Sequence, residues 1–171
     1  IDAERYGKER DGLPPASYRL VSNPKEKGVR GAHTFCMCPG GTVVGATSHE
    51  GHVVVNGMSY SGRRAFWANS AIIVDVRLED YDGKDAWAGI RFQDRIEQAA
   101  FQAGGGDFRA PAQLVTDFLQ RKKSKELPRS SFPNGVFSHN LWDIFPEPIA
   151  NGIAEALRFF DKRIKGFAGP Q

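Results

Sequence analysis

Two cysteines separated by one residue, Cys36 and Cys38, stand directly before a Pro39-Gly40-Gly41 break, and two histidines, His49 and His52, follow them. A free thiol ionises at about pH 8.5 and reacts as the thiolate, so a redox or nucleophilic role for either cysteine requires a neighbour that lowers that value. On a β-strand, residues i and i+2 project to one face. The pair is then either a redox pair beside an electron-accepting cofactor or a pair of small buried hydrophobes. A bond between them would close a very small, strained ring and would be easily reduced. With the histidines the string reads C-x-C-x10-H-x2-H. Its ligand types suit zinc, but both spacings are tighter than zinc sites use. No metal site is expected, and His49 and His52 are read as exposed polar residues flanking a Glu50-Gly51 turn.

Other chemistry is thinly supported. There is no G-x-S-x-G elbow to raise a serine above its neighbours. Arg63 and Arg64, close to Phe66 and Trp67, either hold an anion or a planar ring by bidentate bonding and stacking, or are surface arginines over a partly buried aromatic pair. Phe101, Phe118, Phe159 and Phe160 fall at helical core spacing and are assigned to packing. Gly40 and Gly41, lacking Cβ atoms, would let the backbone approach a ligand closely.

Positioning these residues falls to three β-runs, at residues 33–38, 42–46 and 52–56, with Pro39-Gly40-Gly41 breaking the first from the second and Gly51 and Gly57 bounding the third. Residues 17–22 alternate like a short half-buried strand, and residues 70–78 form the strongest strand, its continuous apolar run at 71–74 predicting burial on both faces. Beyond Asp82-Gly83 the apolar period lengthens. Phe92, Ile96, Ala99, Ala100 and Ala103 predict a helix stopped by Gly104-Gly105-Gly106. A second helix is expected with Pro111 in its first turn and Leu114, Val115, Phe118 and Leu119 on one face, and a third from Pro148 through Ile149, Ile153, Leu157, Phe160 and Ile164. Residues 124–140, with Pro128, Pro133 and Gly135, are too broken for regular structure and read as a long loop, ordered or mobile. Strands first and helices second predict an α+β fold: an antiparallel β-sheet or small open barrel followed by about three packed helices. No strand leads through G-x-G-x-x-G into a helix, so a doubly wound nucleotide-binding fold is excluded.

At 171 residues the chain suits one domain, 1–171, with residues 1–15 linker-like. An excess of 23 basic over 20 acidic side chains is too small to argue for nucleic acid. No window is apolar enough to cross a bilayer, and no signal-peptide core stands at the start. We therefore expect no membrane partner and a cytoplasmic protein, its two cysteines suiting a reduced compartment. A first residue of Ile suggests an excised piece of something longer.

Read as a string, Phe35-Cys36-Met37-Cys38-Pro39-Gly40-Gly41, then Val53-Val54-Val55-Asn56-Gly57-Met58-Ser59, then Arg63 or Arg64 and Ala68-Asn69-Ser70-Ala71, resembles a largely uncharacterised bacterial family of FAD-dependent dehydrogenases, NAD(FAD)-utilising flavoproteins. Ile1-Asp2 with Tyr6-Gly7, residues 13–18 and Ala110-Pro111-Ala112-Gln113 share that likeness. The resemblance implies a substrate or cap domain inserted into an FAD-binding part of the same polypeptide, covering the flavin and building the substrate side of the site. It implies FAD in the full-length protein, none held tightly by this piece, no activity from it alone, and an unknown small-molecule substrate. On that footing we expect Cys36 and Cys38 to be the redox candidates and Pro39, Gly40 and Gly41 to face the cofactor. Asn56, Ser59, Arg63 and Asn69 would contact a polar or anionic substrate. The flavin would carry the electron transfer while the protein supplies position, electrostatics and exclusion of water. The competing reading is a non-catalytic ligand- or partner-binding module, engaging a protein or an RNA through residues 60–67 and 124–140.

Overall fold

A single long strand, β2 (Ala32–Gly45), runs through the middle of the sheet in the computed structural model, which describes residues 20–24 and 28–169. The linker-like start, the first half of the 17–22 run and the tip of the turn that follows it lie outside the described residues. β1 (Val21–Ser22) and β3 (Val55–Ser59) pair antiparallel with the two ends of β2, and β4 (Trp67–Val74) pairs antiparallel along its other edge. The two β-runs expected before and after Pro39 are therefore one strand. Register shifts between Phe35 and Cys38, and again between Cys38 and Gly41, absorb the proline within bulges. A bulge frees a residue from the ladder, and that is where a residue without an N–H can sit. The third run also moves. The strand begins at Val55 and passes through Gly57, which pairs with Val43.

Thr34 faces Ile72 and Ala32 faces Val74 across β2 and β4, and this side of the sheet is covered. α3 (Glu147–Arg163) packs on it. Its Ala150, Ala154 and Leu157 join Phe118, while Ala156 and Phe160 meet Ala32, with Ile72 shared between the two groups. Small residues at three of these positions let the helix axis come close to the strands. Pro148 in the first turn, Glu147 beside it and Lys162 and Arg163 in the last turn agree with the helix dipole. On the opposite side, His33 pairs with Ile73 and Phe35 with Ala71; Phe35 is 56% and Ile73 37% exposed. The apolar run at 71–74 is thus buried on one face only, contrary to expectation, because α3 covers the face that carries Ile72 and Val74.

α1 (Ala88–Ala103) starts a turn earlier than the apolar spacing indicated and stops at the glycine triplet. Pro111 is not in a helix. It lies in β5 (Ala110–Ala112), which pairs in parallel with β6 (Val136–Ser138), and α2 is only Val115–Leu119. The bonds from Ala110 N to Gly135 O and from His139 N to Ala112 O bracket Pro111, whose missing N–H is not called upon. Residues 124–140 are an ordered connection. Ser124, 2% exposed, accepts from Leu114 N and its carbonyl accepts from Ser138 Oγ, while the Ser131 hydroxyl accepts from Val43 N and its carbonyl from Thr42 Oγ1. The expected fold class stands: α+β, an antiparallel sheet followed by three helices, with the sheet open rather than closed into a barrel among the described residues. No helix among them is long and apolar enough to cross a membrane.

Candidate functional site

The bulged stretch of β2 brings most of the sequence-derived candidates into one corner. Cys38 pairs with Asn69, Gly41 with Ser59 on one side and Trp67 on the other. Ser59 Oγ donates to Pro39 O at 2.6 Å, and Ala65 N donates to Gly40 O at 3.2 Å, so the 60–66 turn folds back over the bulge. Arg63 adopts a left-handed backbone, φ +46°, within that turn. Asn56 does not join the corner: it pairs with Val44, and strand alternation turns it to the sheet face opposite Gly57.

The two cysteines do not share a strand face as i and i+2 residues would. Cys36 has φ +47° and lies exposed, whereas Cys38 is half-buried and its Sγ donates to Cys36 O at 3.2 Å. Partial burial, and secondarily the neighbouring Cys36 thiol, push the Cys38 thiol above its ordinary value. That is the reverse of what an activated thiolate needs. Both cysteines are free.

Gly40 and Gly41 do lie at a close approach, but to the protein's own backbone. Gly40 has φ +53°, and a Cβ there would collide with the carbonyl of Arg63; one on Gly41 would collide with Met58 O. A Cβ on Gly57 would strike the Asn69 side-chain oxygen. The Asn69 amide thus occupies the room that Gly41 and Gly57 leave, with both its oxygen and its nitrogen buried and without a hydrogen-bond partner among the described residues. A dinucleotide needs free backbone N–H groups at a glycine turn or helix start. These glycines are filled from within, and Gly104-Gly105-Gly106 closes α1 instead of opening a helix. Among the described residues these glycines do not form a flavin cradle. What the corner offers outward is its rim: Cys36 and Phe35 beside Ala71 and Ile73.

The aromatic loop is more open than expected. Phe66 is 87% exposed, packed edge-on against Trp67 with ring centroids 4.7 Å apart.

His52 was missed. It is 7% exposed rather than solvent-facing, with Nδ1 at 2.8 Å from Glu50 O and Nε2 at 2.7 Å from Asp94 Oδ1. The bond to the Glu50 carbonyl, and after it the bond to Asp94, raise its pKa above the ordinary 6.5. The zinc string is not assembled, for His52 has both nitrogens engaged, and no group of three His, Cys, Asp or Glu residues placed to hold a metal exists among the described residues. The signal available in sequence was a carboxylate on the polar side of the α1 pattern; its pairing with a histidine 42 positions earlier was not.

The sheet is open among the described residues, and α3 covers one of its sides. The chain belongs to a family of FAD-dependent proteins: the family model described as "FAD-dependent protein, C-terminal domain-like" matches residues 1–171. It is similar to an uncharacterized protein of Clostridium beijerinckii (strain ATCC 51743 / NCIMB 8052), with 41% identity over 172 residues. The match takes in 98% of this chain and 32% of that protein, so the chain spans about a third of the relative's length.

Proposed function

We propose that this chain is the substrate-side or cap domain of a longer FAD-dependent oxidoreductase, inactive alone, and that its uncovered sheet face packs against the flavin-bearing part of the same polypeptide. The observation that carries this is the sheet's asymmetry. α3 seals one side, while Phe35, Ala71 and Ile73 stand outward on the other, continuous along β4 with the Cys38–Asn69 corner. A contiguous apolar surface of this kind marks an interface more often than it stays in water. The family match and the share of the relative lying beyond this chain agree with such a partner. In this reading Cys36, Ser59, Arg63 and the loop to Trp67 border the space where a small-molecule substrate would enter, and Pro39 to Gly41 act by holding that border rigid.

The test is Phe35→Asp with Ile73→Asp in the full-length protein. Both side chains are exposed in this chain, so its own stability should change by no more than about 0.5 kcal/mol each. Flavin reduction should slow and bound flavin should be lost on gel filtration. Unchanged flavin content and reduction kinetics would refute the assignment. Exposure of Tyr60 and Phe66, 66% and 87%, supports the second reading, a non-catalytic module binding a partner through the 60–67 loop. Phe66→Ala lowering partner capture while leaving flavin reduction intact would favour it.

A further inference from the structure

Residues 46–54 connect β2 to β3 and close down on α1. Ala46 N donates to Val54 O, Val54 N donates to Thr47 Oγ1 at 3.0 Å, and Val53 N donates to Glu97 O at 3.2 Å, so the loop is tied at its base and once to the helix. The remaining tie is His52. A carbonyl oxygen only accepts, so the nitrogen facing Glu50 O carries a hydrogen; an ionised carboxylate also only accepts, so the nitrogen facing Asp94 carries one too. With Asp94 ionised, both contacts are satisfied together only by a ring that carries a hydrogen on each nitrogen.

Its surroundings favour that charge. From α1, Asp94 and Glu97 face it; Arg95 borders the same cleft but is paired with Asp82. From the loop, Glu50 contributes its carbonyl and His49 lies with its ring centroid 5.7 Å away. Two clefts meet at Glu50, one of about 320 Å³ reaching Arg95, Gln98 and Gln102 and one of about 440 Å³ reaching Phe108, Phe132 and Asn134.

We propose that His52 is a pH-operated latch: doubly protonated it fastens the 46–54 loop to α1, and loss of one proton releases the 49–52 segment and joins the two clefts that Glu50 divides. With one proton gone, a ring lone pair must face either the Glu50 carbonyl or the Asp94 carboxylate, and that contact turns repulsive. The sign is set by the folded ring holding its proton more tightly than the unfolded one. The latch is closed below the unfolded value of about 6.5 and opens as pH rises through the higher folded value. It stands apart from the flavin reading and would operate in this chain alone.

The experiment is a nitrogen-15 NMR titration of His52 in this chain, combined with hydrogen exchange of the Val53 amide. We expect both ring nitrogens protonated below about pH 6, a midpoint above 6.5, and Val53 protection falling severalfold above that midpoint, beyond the chemical pH dependence of exchange. Asp94→Asn should lower the midpoint, and His52→Gln should leave Val53 protection flat after the same correction, with α1 amides reporting that the fold is intact. A wild-type midpoint at or below 6.5, a singly protonated ring near pH 6, or Val53 protection indifferent to pH would each overturn the latch.

Discussion

Asn69 is the residue on which the corner turns. It buries two polar atoms that find no partner among the described residues, at a desolvation cost of about 1–3 kcal/mol for each such group. Two glycines, Gly41 and Gly57, exist at the right register to make room for it. If its place is structural filler, Asn69→Ala should change stability by less than about 1 kcal/mol in urea unfolding, because relief of the unpaired amide offsets the lost packing. Gly57→Ala should cost about 1–3 kcal/mol by overpacking, and the double variant should recover part of that through a coupling of about 0.5–3 kcal/mol. A loss for Asn69→Ala as large as a core deletion, about 2–5 kcal/mol, would contradict this account. In the full-length protein the same variant separates filler from function: a fall in turnover with unchanged stability would make Asn69 a substrate contact.

Between elements, the decisive tie is the ion pair that links the approach to β2 with the short 3-10 turn after β4. Arg30 and Asp80 meet at 2.6 Å with both side chains only 4% exposed. Arg30 Nη1 also donates to Asp75 O at 3.0 Å, and Asp80 Oδ2 accepts from Arg77 N at 2.7 Å. Arg30 is thus tied to the 75–80 stretch through two side chains, and the strand expected to run to residue 78 breaks off at Val74, where the backbone bends to deliver Asp80. Removing one partner strands the other charge. Asp80→Ala should therefore destabilise by about 3–5 kcal/mol, whereas Arg30→Met with Asp80→Leu should cost far less. Chemical denaturation of the three variants checks this, and equal losses for the single and double changes would refute it.

For the whole molecule, opposed titrations set the pH range of stability. Asp85 is held down to about 2 from its ordinary 3.8, first by the Arg91 guanidinium and then by the Trp87 backbone N–H. Asp107 beside Arg109 and Asp117 beside the Ser124 hydroxyl are lowered in the same direction. Carboxylates with depressed values contribute stability above the unfolded value, about 4, and lose it as pH falls through the folded ones. His52 contributes in the opposite sense, fully below about 6.5 and fading as pH rises. The thermal midpoint should therefore be highest between roughly pH 4 and 6.5 and decline on both sides. A midpoint still climbing above pH 7 would show that these groups do not govern it.

Local chemistry in the chain was enough to establish the fold class, because apolar spacing changes from two to about 3.6 once, after the Asp82-Gly83 turn, and that single change separates sheet from helices. The third helix was legible in nearly full length from Ile149, Ile153, Leu157 and Phe160, and the gathering of Cys38, Gly41, Ser59 and Asn69 follows from strands close in sequence. Tertiary structure alone decided the rest. Pro39 interrupts a strand or merely bulges it according to what lies alongside, and β4 supplied the partner that carried β2 through. Whether glycine makes room for a ligand or for a neighbour depends on which atoms arrive, and here Arg63, Met58 and Asn69 arrive first. His52 could be read as buried and paired only once a helix 42 residues further on brought Asp94 to its ring, since a long-range polar contact leaves no period in the residues that make it.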